Sequence, residues 1–113
     1  MKSKILALSK NEEFRTLLKS KKTSNKYVTI FFGNLTNKNK NSLNISFVAK
    51  KKIGNAVKRN KIKRRLRDIM NDACKKISIN LNYSYLVIAK STMLNSEFKK
   101  IKETLFLEFE RIK

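Results

Sequence analysis

The chain has 113 residues, 28 basic and 8 acidic, for a formal charge of +20, with no histidine and one cysteine. That length gives one domain, residues 1–113, with a modest core, and 41% hydrophobic residues exclude a disordered chain. A compact body so charged repels itself, which points to a polyanionic partner, and no run nears the ~18 apolar residues of a membrane-spanning helix.

The start, MKSKILALSKNEEF, holds one short apolar patch and then charge. It lacks the shape of a secretory signal, so the expected location is the cytoplasm. The lone Cys74 cannot form an internal disulfide, which agrees. Abundant Asn, Lys and Ile with no Pro read as compositional drift, which accounts for part of the Lys excess. Drift does not account for the Arg cluster at 59–67.

The first helix is expected from Ser9, where Ser9 and Glu12 have capping-box spacing. Phe14, Leu17 and Leu18 share its face at i, i+3, i+4. Residues 19–26 are polar and break the pattern. Tyr27–Phe32, YVTIFF, is β-branched and aromatic and reads as a central strand. After a polar turn at 33–42, LNISFVAK places Leu43, Ile45, Phe47 and Ala49 on one face. That alternation predicts a second strand, antiparallel to the first.

Gly54 and Asn55 make a short break before a helix over about 55–76. A third strand is expected at Tyr83–Lys90. Asn95 or Ser96 would cap a last helix with Phe98, Ile101, Leu105, Phe109 and Ile112 as its buried stripe. Glu103, Glu108 and Glu110 fall on the polar side of that helix. The expected fold class is α+β: a small mixed sheet of three to four strands with three helices, in the order α-β-β-α-β-α. A crossover between parallel strands would by default be right-handed.

The helix over 55–76 has two faces at ~100° per residue. Ile62, Leu66, Ile69, Met70, Ala73 and Ile77 fall in one sector. Asn60, Lys63, Arg64 and Arg67 recur at i, i+3, i+4, i+7 on the other. The segment is therefore an amphipathic helix with an apolar anchor and a cationic ridge. Arg59 projects into the apolar sector. Either the first turn overhangs the sheet, or Arg59 meets a specific anion, because a buried unpaired guanidinium is prohibitive. The overhang is the preferred reading, with Arg59 and Asn60 beside Lys51 and Lys52. The helix N-terminus adds its dipole and free N–H groups there. The bland alternative is a solvated face with an Arg64–Asp68 pair. It leaves most other cations unpaired.

Catalytic chemistry is sparse. Without histidine, and with one cysteine, neither a zinc site nor a Cys–His nucleophile can be assembled. Cys74 reads as a small buried thiol. Asp68 and Asp72, at i, i+4, are more simply surface partners of Lys or Arg than metal ligands. Gly33 and Gly54 are the only glycines, so there is no Gly-rich phosphate loop. Phe14, Tyr27, Phe31, Phe32, Phe47, Tyr83 and Tyr85 group on the first helix and the strands. Any left open could stack on unpaired bases.

The run KKIGNAVKRNKIKRRLRD, Lys51–Asp68, resembles the signature of the bacterial ribonuclease P protein subunit family. NEEFRTLL and YSYLVIAKS fall where that family has its first helix and third strand. The resemblance implies a left-handed crossover around the long helix, against the default. It implies a protein that assists an RNA catalyst using magnesium, which the RNA mainly holds. The reaction removes the 5′ leader of precursor tRNA by phosphodiester hydrolysis. The implied partners are ribonuclease P RNA and precursor tRNA, with no membrane and no protein oligomer required.

By the same resemblance, Lys51, Arg59, Asn60, Lys61, Lys63, Arg64 and Arg67 face the catalytic RNA. Phe14, Leu18, Ile30 and Lys52 line a leader cleft. No catalytic or metal-binding residue of the protein itself is implied. Three departures stand out. Lys61 replaces a usual Arg, Leu18 and Ile30 replace frequent aromatics, and Ser46 replaces a usual Gly. The alternative function is a ribosomal or other structural RNA-binding protein, for which charge suffices without G-x-A-V-x-R-N.

Overall fold

A computed structural model describes residues 4–8, 11–35 and 42–112. Its elements are β1 (Lys4–Leu6), α1 (Asn11–Leu18), β2 (Lys21–Ser24), β3 (Val28–Gly33), β4 (Ser42–Val48), α2 (Ala56–Lys76), β5 (Ser84–Ala89) and α3 (Phe98–Arg111). Short 3-10 turns at Lys51–Ile53 and Ser91–Leu94 lead into α2 and α3. The three helices and the α+β class are as expected. The sheet is larger, with five strands among the described residues in the order β1-β4-β5-β3-β2. Ser9 and most of the 33–42 turn lie outside the described residues.

The two unexpected strands are the two edges. β2 falls in the polar stretch 19–26, where no hydrophobic alternation marks it. Its antiparallel ladder with β3 sets Lys21 opposite Phe32 and Thr23 opposite Ile30. Backbone pairing, not side-chain burial, makes it a strand. β1 has three residues and pairs parallel with β4, from Lys4–Ser42 to Leu6–Asn44. The expected antiparallel relation of β3 and β4 holds for direction but not for pairing. β5 lies between them, antiparallel to β3 and parallel to β4.

Side chains alternate across the sheet. Val28, Ile30, Leu43, Ile45, Tyr85, Val87 and Ala89 point to one face and form the main core with α2 and α3. From α2 that core takes Ile62, Leu66, Ile69, Met70 and Ala73, all at most 2% exposed. Ile77, at the end of the expected stripe, is half-buried at the C-cap. From α3 it takes Ile101, Leu105 and Phe109, with Ile112 just beyond the helix. Phe98 is not part of that stripe, because the helix begins there and the side chain is exposed. The N-cap is Glu97 rather than Asn95 or Ser96, and Ser96 Oγ instead donates back to the Thr92 carbonyl.

Glu108 also departs from the polar face assigned to it. It is 7% exposed, and its carboxylate accepts from Thr23 Oγ1 at 2.7 Å and Asn25 Nδ2 at 3.2 Å. These bonds tie α3 to the edge strand and the turn after it. Two neutral donors offset part of the cost of burying the charge.

The opposite face is thinly covered. The eight-residue α1 packs there on β3 and β5 through Leu17, with Leu8 and Leu86. Phe14, Phe31, Val48 and Ile88 are only half-buried around this small cluster. Ser46 lies on this side, and its Oγ accepts the Leu8 N–H at 2.8 Å. The hydroxyl that replaces a glycine thus holds the segment before α1.

Leu105 and Leu107 test the two sides of α3, since one is fully buried and the other 63% exposed. Leu105→Ala is expected to cost about 3 kcal/mol and Leu107→Ala under about 0.5 kcal/mol, measured as urea unfolding free energies.

Candidate nucleic-acid interface

The chain turns from β4 into α2 at Gly54, whose backbone sits at φ 159°, ψ −168°. That region is open essentially to glycine alone. A Cβ there would also meet Lys58 Cδ at 3.0 Å. Asn55 follows as N-cap, its Oδ1 accepting the Lys58 N–H at 3.0 Å. Ile53 is buried at the end of the 3-10 turn and pins the approach, while Lys51 and Lys52 beside it stay exposed. The G-N-A run is therefore a corner that fixes where α2 starts.

From that corner the basic residues fan outward. Asn60, Lys61, Lys63, Arg64 and Arg67 are all exposed. The expected stripe exists, and the buried seam on the other side of α2 sets its direction. Asp68 is exposed and forms no pair with Arg64 among the described residues. Val57, in the first turn, is 75% exposed, an unusual position for a large apolar side chain.

Arg59 differs from both readings offered for it. The overhang is only partial, because the residue is half-buried and its Nε is fully enclosed without a hydrogen-bond partner. An unsatisfied buried donor costs about 1–3 kcal/mol. Arg59 is thus held in place while one of its donors lacks an acceptor.

The second candidate group divides. Phe14 is half-buried and Leu18 is 49% exposed on α1. Lys52 is exposed after β4. Ile30 does not line the open face. It is 0% exposed and points into the main core under α2 and α3. A one-residue shift along a strand reverses the face, so the β3 residue on the α1 side is Phe31. Its ring packs with the α1 cluster, and Lys22, opposite it in the ladder, lies 6.0 Å from the ring centroid. The open face therefore keeps an aromatic ring on β3, which the choice of Ile30 had removed. Val48 and Ile88 also lie half-buried on this face, which the sequence reading did not single out.

Asp72 accepts hydrogen bonds from Lys102 and from Lys76, the latter at 3.4 Å. Among the described residues no three His, Cys, Asp or Glu side chains converge as metal ligands. Cys74 is half-buried, and burial pushes its thiol up. No helix among the described residues is long and apolar enough to cross a membrane.

Fold and site together define a small cationic α+β domain with an exposed basic ridge on one helix and, among the described residues, one sheet face left partly open. A family model described as Ribonuclease P matches residues 3–113. The chain belongs to that family, the protein part of a ribonucleoprotein endoribonuclease that processes tRNA 5′ ends. A ribonuclease P protein component from Carboxydothermus hydrogenoformans is 35% identical over 87% of this chain and 83% of its own. One from Bacillus cereus is 30% identical over 92% and 88%. The solved ribonuclease P protein from Staphylococcus aureus matches with a TM-score of 0.76 at 25% identity, over 94% of this chain and 93% of that one. The Thermotoga maritima protein superposes with a TM-score of 0.80 over 96% and 98%, and at 23% identity it speaks to the fold alone.

The Lys102 hydrogen bond, with added charge from Lys76, holds the Asp72 carboxyl below its ordinary value of 3.8. A lowered folded pKa contributes stability above the unfolded value and loses it as pH falls through the folded one. Asp72→Asn is therefore expected to lower the urea midpoint at neutral pH. The gap to the parent should narrow below about pH 4 and close in stronger acid.

Proposed function

We propose that this chain binds the catalytic RNA of ribonuclease P through α2 and the 5′ leader of precursor tRNA on the α1 face of the sheet. One observation carries the reading. Asn60, Lys61, Lys63, Arg64 and Arg67 project from a helix whose other side is locked in the core. Cations fixed in this way meet phosphates without first losing the freedom of a flexible tail. Arg64 and Arg67 offer planar forks, while Lys61 supplies a point charge. Lys51 extends the surface before the corner. Arg59, half-buried at the start of the ridge, would turn its guanidinium terminus to the RNA, with the enclosed Nε behind it.

The leader would lie across Phe14, Leu18 and Phe31, with Lys52 supplying charge. Half-exposed rings suit unpaired bases, because every base has a π-face whatever its sequence. Phe31 takes the place first given to Ile30. The chain orients the substrate, and the reaction chemistry belongs to the RNA. Magnesium, which the resemblance implies, would be held mainly by the RNA, whose phosphate oxygens suit a hard cation. No protein oligomer and no membrane is required, and the cytoplasm is the place of action. The β4–α2–β5 crossover, joining parallel neighbours, is assigned the left-handed sense that the resemblance implies.

Reconstitution tests the whole reading. Adding the protein to ribonuclease P RNA at low magnesium should raise precursor-tRNA cleavage. No change would leave a structural RNA-binding role instead. Arg64→Ala should lower affinity for the catalytic RNA and flatten the log–log salt dependence by about one phosphate contact. An unchanged slope removes Arg64 from the interface. Phe31→Leu keeps apolar volume and removes the ring. It should weaken precursor-tRNA binding by about 1 kcal/mol more than mature-tRNA binding. Equal losses would take Phe31 out of the leader site.

A further inference from the structure

A hollow on the other face of the sheet has the chemistry of a nucleotide site. It holds about 340 Å³ and is lined by Lys21, Thr23, Phe32, Tyr83, Glu108, Arg111 and Ile112. Phe32 and Tyr83 form a corner, with ring centroids 5.2 Å apart and planes at 61°. A flat heterocycle laid on one ring meets the edge of the other. Lys21 and Arg111 are exposed cations of the lining. Glu108, 7% exposed, adds a carboxylate to it.

The carboxylate decides the ligand. Among the described residues its hydrogen-bond partners are both neutral, with Thr23 Oγ1 on Oε2 and Asn25 Nδ2 on Oε1. Each oxygen thus keeps a lone pair for another donor. A bare inorganic anion would be repelled by it. A ligand must pair N–H donors toward Glu108 with a negative charge toward Lys21 and Arg111. Among nucleobases, guanine presents two adjacent donors, N1–H and N2–H, to a carboxylate. Uracil presents one donor flanked by carbonyl oxygens that a carboxylate repels. An adjoining hollow of about 630 Å³, which shares Ile112 and includes Lys76, leaves room for a neighbouring nucleotide.

We propose that this hollow binds a guanine nucleotide, the base on Phe32 and Tyr83 with its Watson–Crick edge on Glu108 and its phosphate on Lys21 and Arg111. The site lies on the face opposite α1, separate from the leader surface. It does not rest on the proposed function.

The test titrates the ¹⁵N-labelled full chain with GMP and UMP at low salt. GMP should shift the amides of Phe32, Tyr83 and Arg111 saturably, about fivefold or more tighter than UMP, the low end for a paired base-edge contact. Arg111→Gln and Tyr83→Leu should each weaken GMP by about fivefold or more. Glu108→Gln should erase the preference for guanine. If that variant does not fold, the other two still decide. An oligouridine carrying one guanosine, run beside GMP, separates the two sources. Tighter binding of the oligomer identifies an RNA strand, and equal binding identifies a free nucleotide. Equal affinity for GMP and UMP, or shifts confined to α2, would overturn the proposal.

Discussion

The apolar seam of α2 is the constraint that the cationic surface depends on. Lys61–Arg64, Lys61–Arg65, Lys63–Arg67 and Arg64–Arg67 are like-charge neighbours at i, i+3 or i+4. Each such pair works against the helix by about 0.2–0.5 kcal/mol, so these four cost about 1–2 kcal/mol. Burying Ile62, Leu66, Ile69 and Met70 contributes about 1.5–3 kcal/mol each. The seam wins by several-fold. The helix therefore holds its cations together before any partner arrives, and the sheet sets their direction.

The same seam divides the sheet into unequal faces. Two helices close one face and carry most of the core. Among the described residues the other has the short α1 and a cluster of three buried side chains, Leu8, Leu17 and Leu86. A small domain of this charge needs one well-sealed face for stability. Once that face is sealed, the other can leave Phe14 and Phe31 partly bare. Lys22 beside Phe31, in an edge strand rich in charge and hydroxyl groups, also discourages pairing with another chain.

How much was legible in the sequence follows from what made each element. α2 was legible almost residue by residue, because apolar burial at helical spacing made it. The break at Gly54 and Asn55 was legible for a different reason, since few residues fit the backbone at Gly54. β2 was not, because Lys21–Ser24 is a strand only through its ladder to β3. β1 was hidden by its brevity and by a partner about forty residues away along the chain. Glu108 read as a surface residue because its partners, Thr23 and Asn25, come from that hidden edge. The mistaken choice of Ile30 was a register error. The strand was found, but YVTIFF is apolar on both sides, so its pattern alone did not separate the faces.

Arg59 and Glu108 share a physical logic. Both are charged side chains drawn inward from positions where solvent was available. Arg59 carries an enclosed donor with no acceptor, and Glu108 a buried anion with only neutral donors. Each arrangement stabilises less than a fully paired one would. One lies at the start of the cationic ridge, the other in a hollow with rings and cations around it. A fold held by a strong seam tolerates such local deficits. A ligand that brings donors to Glu108 gains affinity there, whereas the enclosed Nε of Arg59 meets a new acceptor only if the side chains around it move.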